Sequence, residues 1–328
     1  MDHRIAPDSA AAEASANKVR AAAQPRREAT IPPGDRLRAI GLMCLAVTLF
    51  SGLDTAAKYL VTHAELPVVQ VVWSRFLVQF LLMLSLLSAL PVSGLLGTRK
   101  PKLEMLRSFL MVATTACNFL ALEHLRLDQT VSVVFAAPLI VALLAGPFLG
   151  EWVGWRRFIA IFVGFIGVLI VVHPGVGELH PAFAVAFAGM LAYAFFMLLT
   201  RYLAAHDAPL VMLFYSILIG TFALAPFALW SWHWPQTLGQ WALLSCLGML
   251  GGSGHYLFIH AYRLAPASSV APFLYVQLLT MVAFGFAVFG DLPDVWTLVG
   301  AGVIIGSGIY LLNRERRLRE EVAPTDPP

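Results

Sequence analysis

Asp54 and Lys58 lie four residues apart inside the apolar stretch LFSGLDTAAKYLVTH, and Arg75 lies inside the next one. A charge at mid-membrane costs roughly 2.5–3.5 kcal/mol on insertion scales, so intramembrane charges point to function or to a partner. Asp54 and Arg75 fall at matching depths, about 9 and 10 Å from the same end of two successive apolar runs. The spacing predicts a buried, direct or water-bridged ion pair between them, with Lys58 reaching the nearer interface along its alkyl stem. Two readings stand for this pair: a brace between two spans, or a polar group facing a substrate or proton pathway. Trp73, Asn118, Tyr215, His255 and Gln277 are the other membrane-embedded groups able to bind a polar ligand. Each could instead bond or pack against a neighbouring helix. His255 could also titrate near neutral pH.

These groups need a scaffold, and composition decides which. The chain has 328 residues, 59% hydrophobic and 12% charged, with mean hydropathy +0.76. Soluble domains carry about 25% charged residues, so the expectation is an integral membrane protein. Apolar runs occur at roughly 39–60, 68–90, 105–124, 129–149, 155–172, 181–203, 209–230, 240–263, 267–290 and 295–313, each long enough to cross as a helix. Ten crossings put both ends of the chain on one side. Of the 22 Lys and Arg, all but Lys58, Arg75 and Arg126 then fall on that side or in the tails. The positive-inside rule makes it cytoplasmic. Residues 1–38 are expected as a disordered basic tail and 314–328 as a second cytoplasmic tail. Acidic residues such as Asp2, Asp8 and Glu13 argue against a mitochondrial leader. The loop WSWHWPQTLGQW places four Trp at the opposite interface, where indoles anchor well. Cys44, Cys117 and Cys246 read as small packing residues.

The two halves echo each other at an offset of about 140 residues. TLFSGLDTAAKYL matches LAYAFFMLLTRYL, LPVVQVVWS matches APLVMLFYS, and PFLGEWVGW matches AVFGDLPDVW. Lys58 thus faces Arg201, Trp73 faces Tyr215, and Glu151 faces Asp291, while Asp54 and Arg75 face Met197 and Ile217. An odd number of spans per repeat inverts the second copy. The predicted fold is therefore all-α, ten transmembrane helices in two inverted five-helix repeats, 39–172 and 173–313. Inverted repeats suit a carrier that opens a central site to each face in turn. In the eighth run, Gly248 and Gly252 have the spacing for close helix packing, and Gly300, Gly302, Gly306 and Gly308 suggest the same for the tenth.

With these features the chain resembles the EamA family of the drug/metabolite transporter superfamily. The resemblance rests on LDTAAKYL, the HLRLDQ junction, Pro138, PFLGEW at 147–152, AYRLAPASSVAP and FGD, and covers roughly residues 38–313. It implies a bacterial inner-membrane secondary carrier of amino acids, vitamins, nucleosides or S-adenosylmethionine, by import or export. It also implies spans 5 and 10 at the periphery or in a homodimer contact. Proton coupling stays open, as does a reading as a membrane sensor or assembly partner without transport. Nucleotide-binding and hydrolase motifs are missing, so no enzyme activity, cofactor, metal site or nucleic-acid partner is expected. The expected partners are a small-molecule substrate and the lipid bilayer.

Overall fold

A computed structural model of the chain describes residues 33–87, 97–137, 139–141, 143–144, 155–172, 180–203, 206–264 and 271–322. Its regular elements are α1 (Pro33–Thr62), α2 (Val68–Leu87), α3 (Pro101–Leu122), α4 (Leu127–Val134), α5 (Trp155–Val172), α6 (Ala182–Leu203), α7 (Pro209–Trp230), α8 (Leu238–Leu264), a 3-10 turn (Ala271–Tyr275), α9 (Val276–Phe289) and α10 (Val295–Val322). Within the described residues, α1, α2, α3, α6, α7 and α8 each contain a span long and apolar enough to cross a membrane, and the other helices carry shorter apolar stretches. Pro138, the PFLGEW stretch at 147–152, and residues 1–32 and 323–328 lie outside the described residues.

Local chemistry explains most element ends. Pro101 and Pro209 open α3 and α7, where a missing N–H is harmless. Asp294 accepts from the Thr297 N–H at 2.6 Å and caps the start of α10. α9 ends at Gly290, whose φ of 73° is left-handed. The Asp291 N–H then reaches back to the Gly285 carbonyl at 3.2 Å, closing the helix and fixing where Asp291 points.

Three boundaries differ from the sequence expectation. α1 begins at Pro33, within the stretch expected to be tail, and α10 runs on to Val322. The ninth run is not one helix. Pro272 lies in the 3-10 turn that precedes α9, as suits a residue that cannot donate in an α-helical ladder.

The packing pattern is the signature of the repeat. α1 packs on α8 as α6 packs on α3. α1 meets α9 as α6 meets α4, and α2 meets α8 as α7 meets α3. The pairs α2–α7, α4–α9 and α5–α10 map onto themselves. Exchanging each helix for its counterpart five places along the chain therefore preserves these contacts, which are the most extensive in the bundle. α5 and α10 pack chiefly on each other and touch the rest through α4 and the 3-10 turn. Their backbones approach so closely that a Cβ on Gly300 would stand 2.5 Å from the Gly167 carbonyl. Gly302 and Gly306 face open space, so only part of the glycine series serves packing. Large apolar side chains stay exposed around the perimeter, including Phe162, Phe222 and Phe227, as a lipid-facing surface requires.

Candidate functional site

Polar residues form stripes at helical spacing on the inward faces of the first three helices. α1 carries Ser51, Asp54, Thr55 and Lys58; α2 carries Arg75 and Gln79; α3 carries Glu104, Arg107, Thr115 and Asn118. All but Asn118, which is half-buried, are at least nine-tenths buried. The Ser51 and Thr55 hydroxyls donate to carbonyls four residues back, at 3.0 and 2.7 Å, so those groups need no further partner.

The central cluster gathers on α3. Asn118 donates its amide to Asp54 Oδ1 at 3.0 Å. Arg75 donates through Nη1 to Thr115 Oγ1 at 2.7 Å and lies 3.4 Å from His255 Nε2 through Nη2. Arginine has only donors, so His255 Nε2 accepts and its ring proton sits on Nδ1. His255 is held from the far side by Phe50, at 4.9 Å between ring centroids. Among the described residues no direct ion pair joins Asp54 to Arg75. Of the direct or water-bridged pair expected from the sequence, the direct form is absent, and each charge bonds a neutral group, the two lying one turn apart on α3. Depth matching on α1 and α2 could not reveal that α3 supplies both partners.

Lys58 points toward the face the sequence assigns to it and finds partners there. Its ammonium, with the side chain 11% exposed, donates to the Leu125 carbonyl at 3.0 Å and pairs with Asp291 Oδ2 at 3.4 Å. It lies 4.9 Å from the Phe289 ring centroid. This contact ties α1 of the first repeat to the α9–α10 turn of the second. Beside it, Arg126 chelates Asp128 through two bonds of 3.1 and 2.6 Å. Both features lie at the face opposite the chain ends. At the other face Asp207, between α6 and α7, accepts from the Thr98 hydroxyl at 2.6 Å and the Arg99 N–H at 3.3 Å.

The remaining sequence candidates separate. Trp73 spends its indole N–H on the Thr221 carbonyl at 2.8 Å, joining α2 to α7. Tyr215 stands on α7 beside Phe214. Gln277 contributes its backbone carbonyl to Ser51 Oγ at 3.4 Å, close to the Ser51–Thr280 hydroxyl contact of 2.6 Å. These three are not among the direct partners of Asp54 or Arg75. Gly248 matches its packing role, since a Cβ there would stand 2.5 Å from Val78, whereas at Gly252 it would make ordinary contact with Gln79.

Sequence reasoning missed several groups. Thr115 shares a helix face with Asn118, and Gln79 follows Arg75 by one turn; those spacings were the available signals. Arg107 counted toward the basic cytoplasmic surface, yet it is buried. It bonds Glu104 at 3.0 Å, Ser216 Oγ at 2.9 Å and the Met212 carbonyl. Glu123 and His124 line an open cleft of about 740 Å³ with Glu65 and His180, in which the two imidazoles meet at 4.8 Å between centroids, tilted by 57°.

Known proteins resemble this chain along most of its length. The chain is 26% identical over 278 residues to the S-adenosylmethionine uptake transporter of Rickettsia bellii, covering 85% of this chain and 94% of that one. It is 27% identical to the riboflavin transporter of Vibrio cholerae, over 84% and 93% of the two chains. It is 25% identical to the pseudopaline exporter CntI of Pseudomonas aeruginosa, over 84% and 96%. A solved crystal structure superposes with a TM-score of 0.59 at 16% identity, covering 85% of this chain and 98% of its own, which supports the fold alone. The profile of the EamA-like transporter family matches residues 37–173 and then again 180–314, one match per five-helix repeat. This multi-pass membrane protein therefore belongs to the EamA-like transporter family.

Proposed function

We propose that the chain is a secondary transporter of a small polar or amphipathic metabolite in a bacterial inner membrane, working by alternating access with both chain ends in the cytoplasm. The observation that carries this reading is the Asp54–Arg75–His255 cluster, buried where α1, α2, α3 and α8 meet. A helix brace needs no ionisable groups at these depths, and the second repeat does without them at Met197 and Ile217. A translocated polar solute does need groups of this kind.

Ties at both faces support an occluded arrangement. Lys58–Asp291 joins the halves on one side of the cluster, and Thr98, Arg99 and Asp207 join them on the other. Releasing one set while keeping the other would expose the cluster to one face at a time. The relatives' cargoes differ in chemistry and direction, so the cargo class named here is the coarse one they share: small metabolites.

The experiment is flux into proteoliposomes of the purified full-length protein against a panel of labelled metabolites. Saturable, protein-dependent flux of one class supports the reading. Retention of a folded, monodisperse protein that moves nothing in the panel in either direction, under imposed proton or sodium gradients, contradicts it. For orientation, single cysteines at positions 35 and 320 should be shielded from impermeant thiol reagents in intact cells; labelling of either from outside overturns the topology.

A further inference from the structure

α3 and α7 pack on each other. On their buried side Arg107 pins them together, donating from α3 to Ser216 Oγ at 2.9 Å and to the Met212 carbonyl. On their lipid-facing side lies a groove of about 750 Å³ lined only by apolar side chains, among them Met105, Leu106 and Phe109 on α3 and Phe222 and Ala223 on α7. Met105, Phe109 and Phe222 are each more than half exposed, so the groove opens to the bilayer. Lys102 stands three, four and seven residues before Met105, Leu106 and Phe109, and so heads the same helix face. It is exposed. Lys58, Arg107 and Arg126 all have ion-pair partners, but the Lys102 ammonium has none among the described residues. Phe109 lies about 10 Å further along the helix axis, within the roughly 15 Å half-thickness of the hydrocarbon. A free cation at the level of the headgroups thus stands over an apolar groove at the level of one leaflet's chains.

We propose that the α3–α7 groove binds one anionic phospholipid, its phosphate on Lys102 and an acyl chain along the groove. The site itself does not depend on transport; only its assignment to the inner leaflet rests on the orientation proposed above. A second copy of the chain fits this surface poorly. Close helix contacts in a membrane use small residues, whereas the α3 wall offers Met105, Leu106 and Phe109. Such a contact would also cover Lys102 without supplying a counter-charge, a costly arrangement in a membrane. A phospholipid meets both demands, since its phosphate pairs with the ammonium and its chain fills the groove. The lining holds no carboxylate for the ammonium of an ethanolamine headgroup. The site therefore favours a headgroup of net negative charge.

The test is native mass spectrometry of the full-length protein in detergent, titrated with dioleoylphosphatidylglycerol or dioleoylphosphatidylethanolamine. The first phosphatidylglycerol should bind about fivefold tighter than the first phosphatidylethanolamine, the advantage one lysine gives an anionic headgroup. In Lys102→Gln that preference should vanish. In Arg38→Gln, which removes an exposed cation elsewhere, it should persist. Ala223→Trp fills the groove and should weaken both lipids at least about threefold. Size-exclusion profiles confirm that each variant is folded. Equal binding of the two lipids to the unaltered protein overturns the proposal, and so does an unchanged preference in Lys102→Gln. An equal loss in Arg38→Gln reduces the effect to general surface charge and overturns it too. Displacement of the lipid by glycerol 3-phosphate, which has the phosphate and no chain, removes the groove from the site. A lipid-free dimer that dissociates in Ala223→Trp assigns the groove to a second copy instead. Each of these failures leaves the carrier reading intact, and absence of metabolite flux leaves the lipid site intact.

Discussion

The Lys58–Asp291 contact offers a quantitative test of how the repeats are held together. The ammonium lies 3.4 Å from the carboxylate, with side-chain exposures of 11% and 29%. At that distance an effective dielectric near 20 gives a gross attraction of roughly 5 kcal/mol. Burying the ammonium offsets much of it, and Asp291 regains water when Lys58 is removed. A net coupling of about 1–2 kcal/mol remains. Asp291→Asn keeps the shape but leaves Lys58 with the Leu125 carbonyl alone, so it should lower stability by about 1–2 kcal/mol. Lys58→Met removes a buried charge together with its bond to that carbonyl and should lower stability by about 1–3 kcal/mol. The double variant should be close to Lys58→Met alone, because with the ammonium gone the Asp291 carboxylate has lost its hydrogen-bonded partner and keeps only its weaker interaction with Arg126. Reversible unfolding in detergent, followed by tryptophan fluorescence for all four proteins, gives the cycle. Strict additivity of the two single effects would refute the coupling, and with it the idea that this pair ties the first repeat to the second.

Two further perturbations follow from the packing. Gly300→Leu should break the α5–α10 crossing and lower stability by about 3 kcal/mol or more, since side-chain atoms would enter the space of the Gly167 carbonyl and Val171; Gly306→Ala, facing open space, should leave stability unchanged or raise it by up to about 1 kcal/mol. Thermal unfolding with size-exclusion profiles separates the two, and equal effects would contradict the crossing. Glu104→Gln should cost about 3–5 kcal/mol because it strands buried Arg107, and adding Arg107→Met should recover most of that. Failure of the second change to rescue folded yield would show that Arg107 is held by Met212 and Ser216 independently of Glu104.

The membrane makes the fold readable in this sequence and hides the site. A span must satisfy its own backbone hydrogen bonds, so each crossing appears as a long apolar run, and α1, α2, α3, α5, α6, α7 and α8 all fall on predicted runs. The ninth run misleads because Pro272 and its neighbours are as apolar as the helix they interrupt. For the candidate cluster, polar or ionisable groups within an apolar run were enough to single out Asp54, Arg75, Asn118 and His255. Their pairing was not legible, because depth along a helix leaves rotation and neighbour order open. Lys58 shows the limit. One turn from a helix end, a lysine can reach out to water or inward to a partner, and the partner here is 233 residues away. Trp73 shows another. The repeat sets it opposite Tyr215, but that match could not show that its indole N–H bonds the Thr221 carbonyl between α2 and α7.

The central claim is that Asp54 and Arg75 serve a moving solute rather than hold the bundle together. Its most direct test is flux per folded molecule in the double variant Asp54→Asn, Arg75→Gln, with folded protein quantified by size-exclusion chromatography before reconstitution. Both replacements keep hydrogen-bonding shape, so Asn118 and Thr115 retain partners and no lone charge is stranded. The account predicts a folded protein at near-normal yield whose flux falls at least a hundredfold, as expected when two charge-assisted contacts of about 1.5–3 kcal/mol are lost together. A folded double variant with unaltered flux would contradict it and reduce the cluster to a brace.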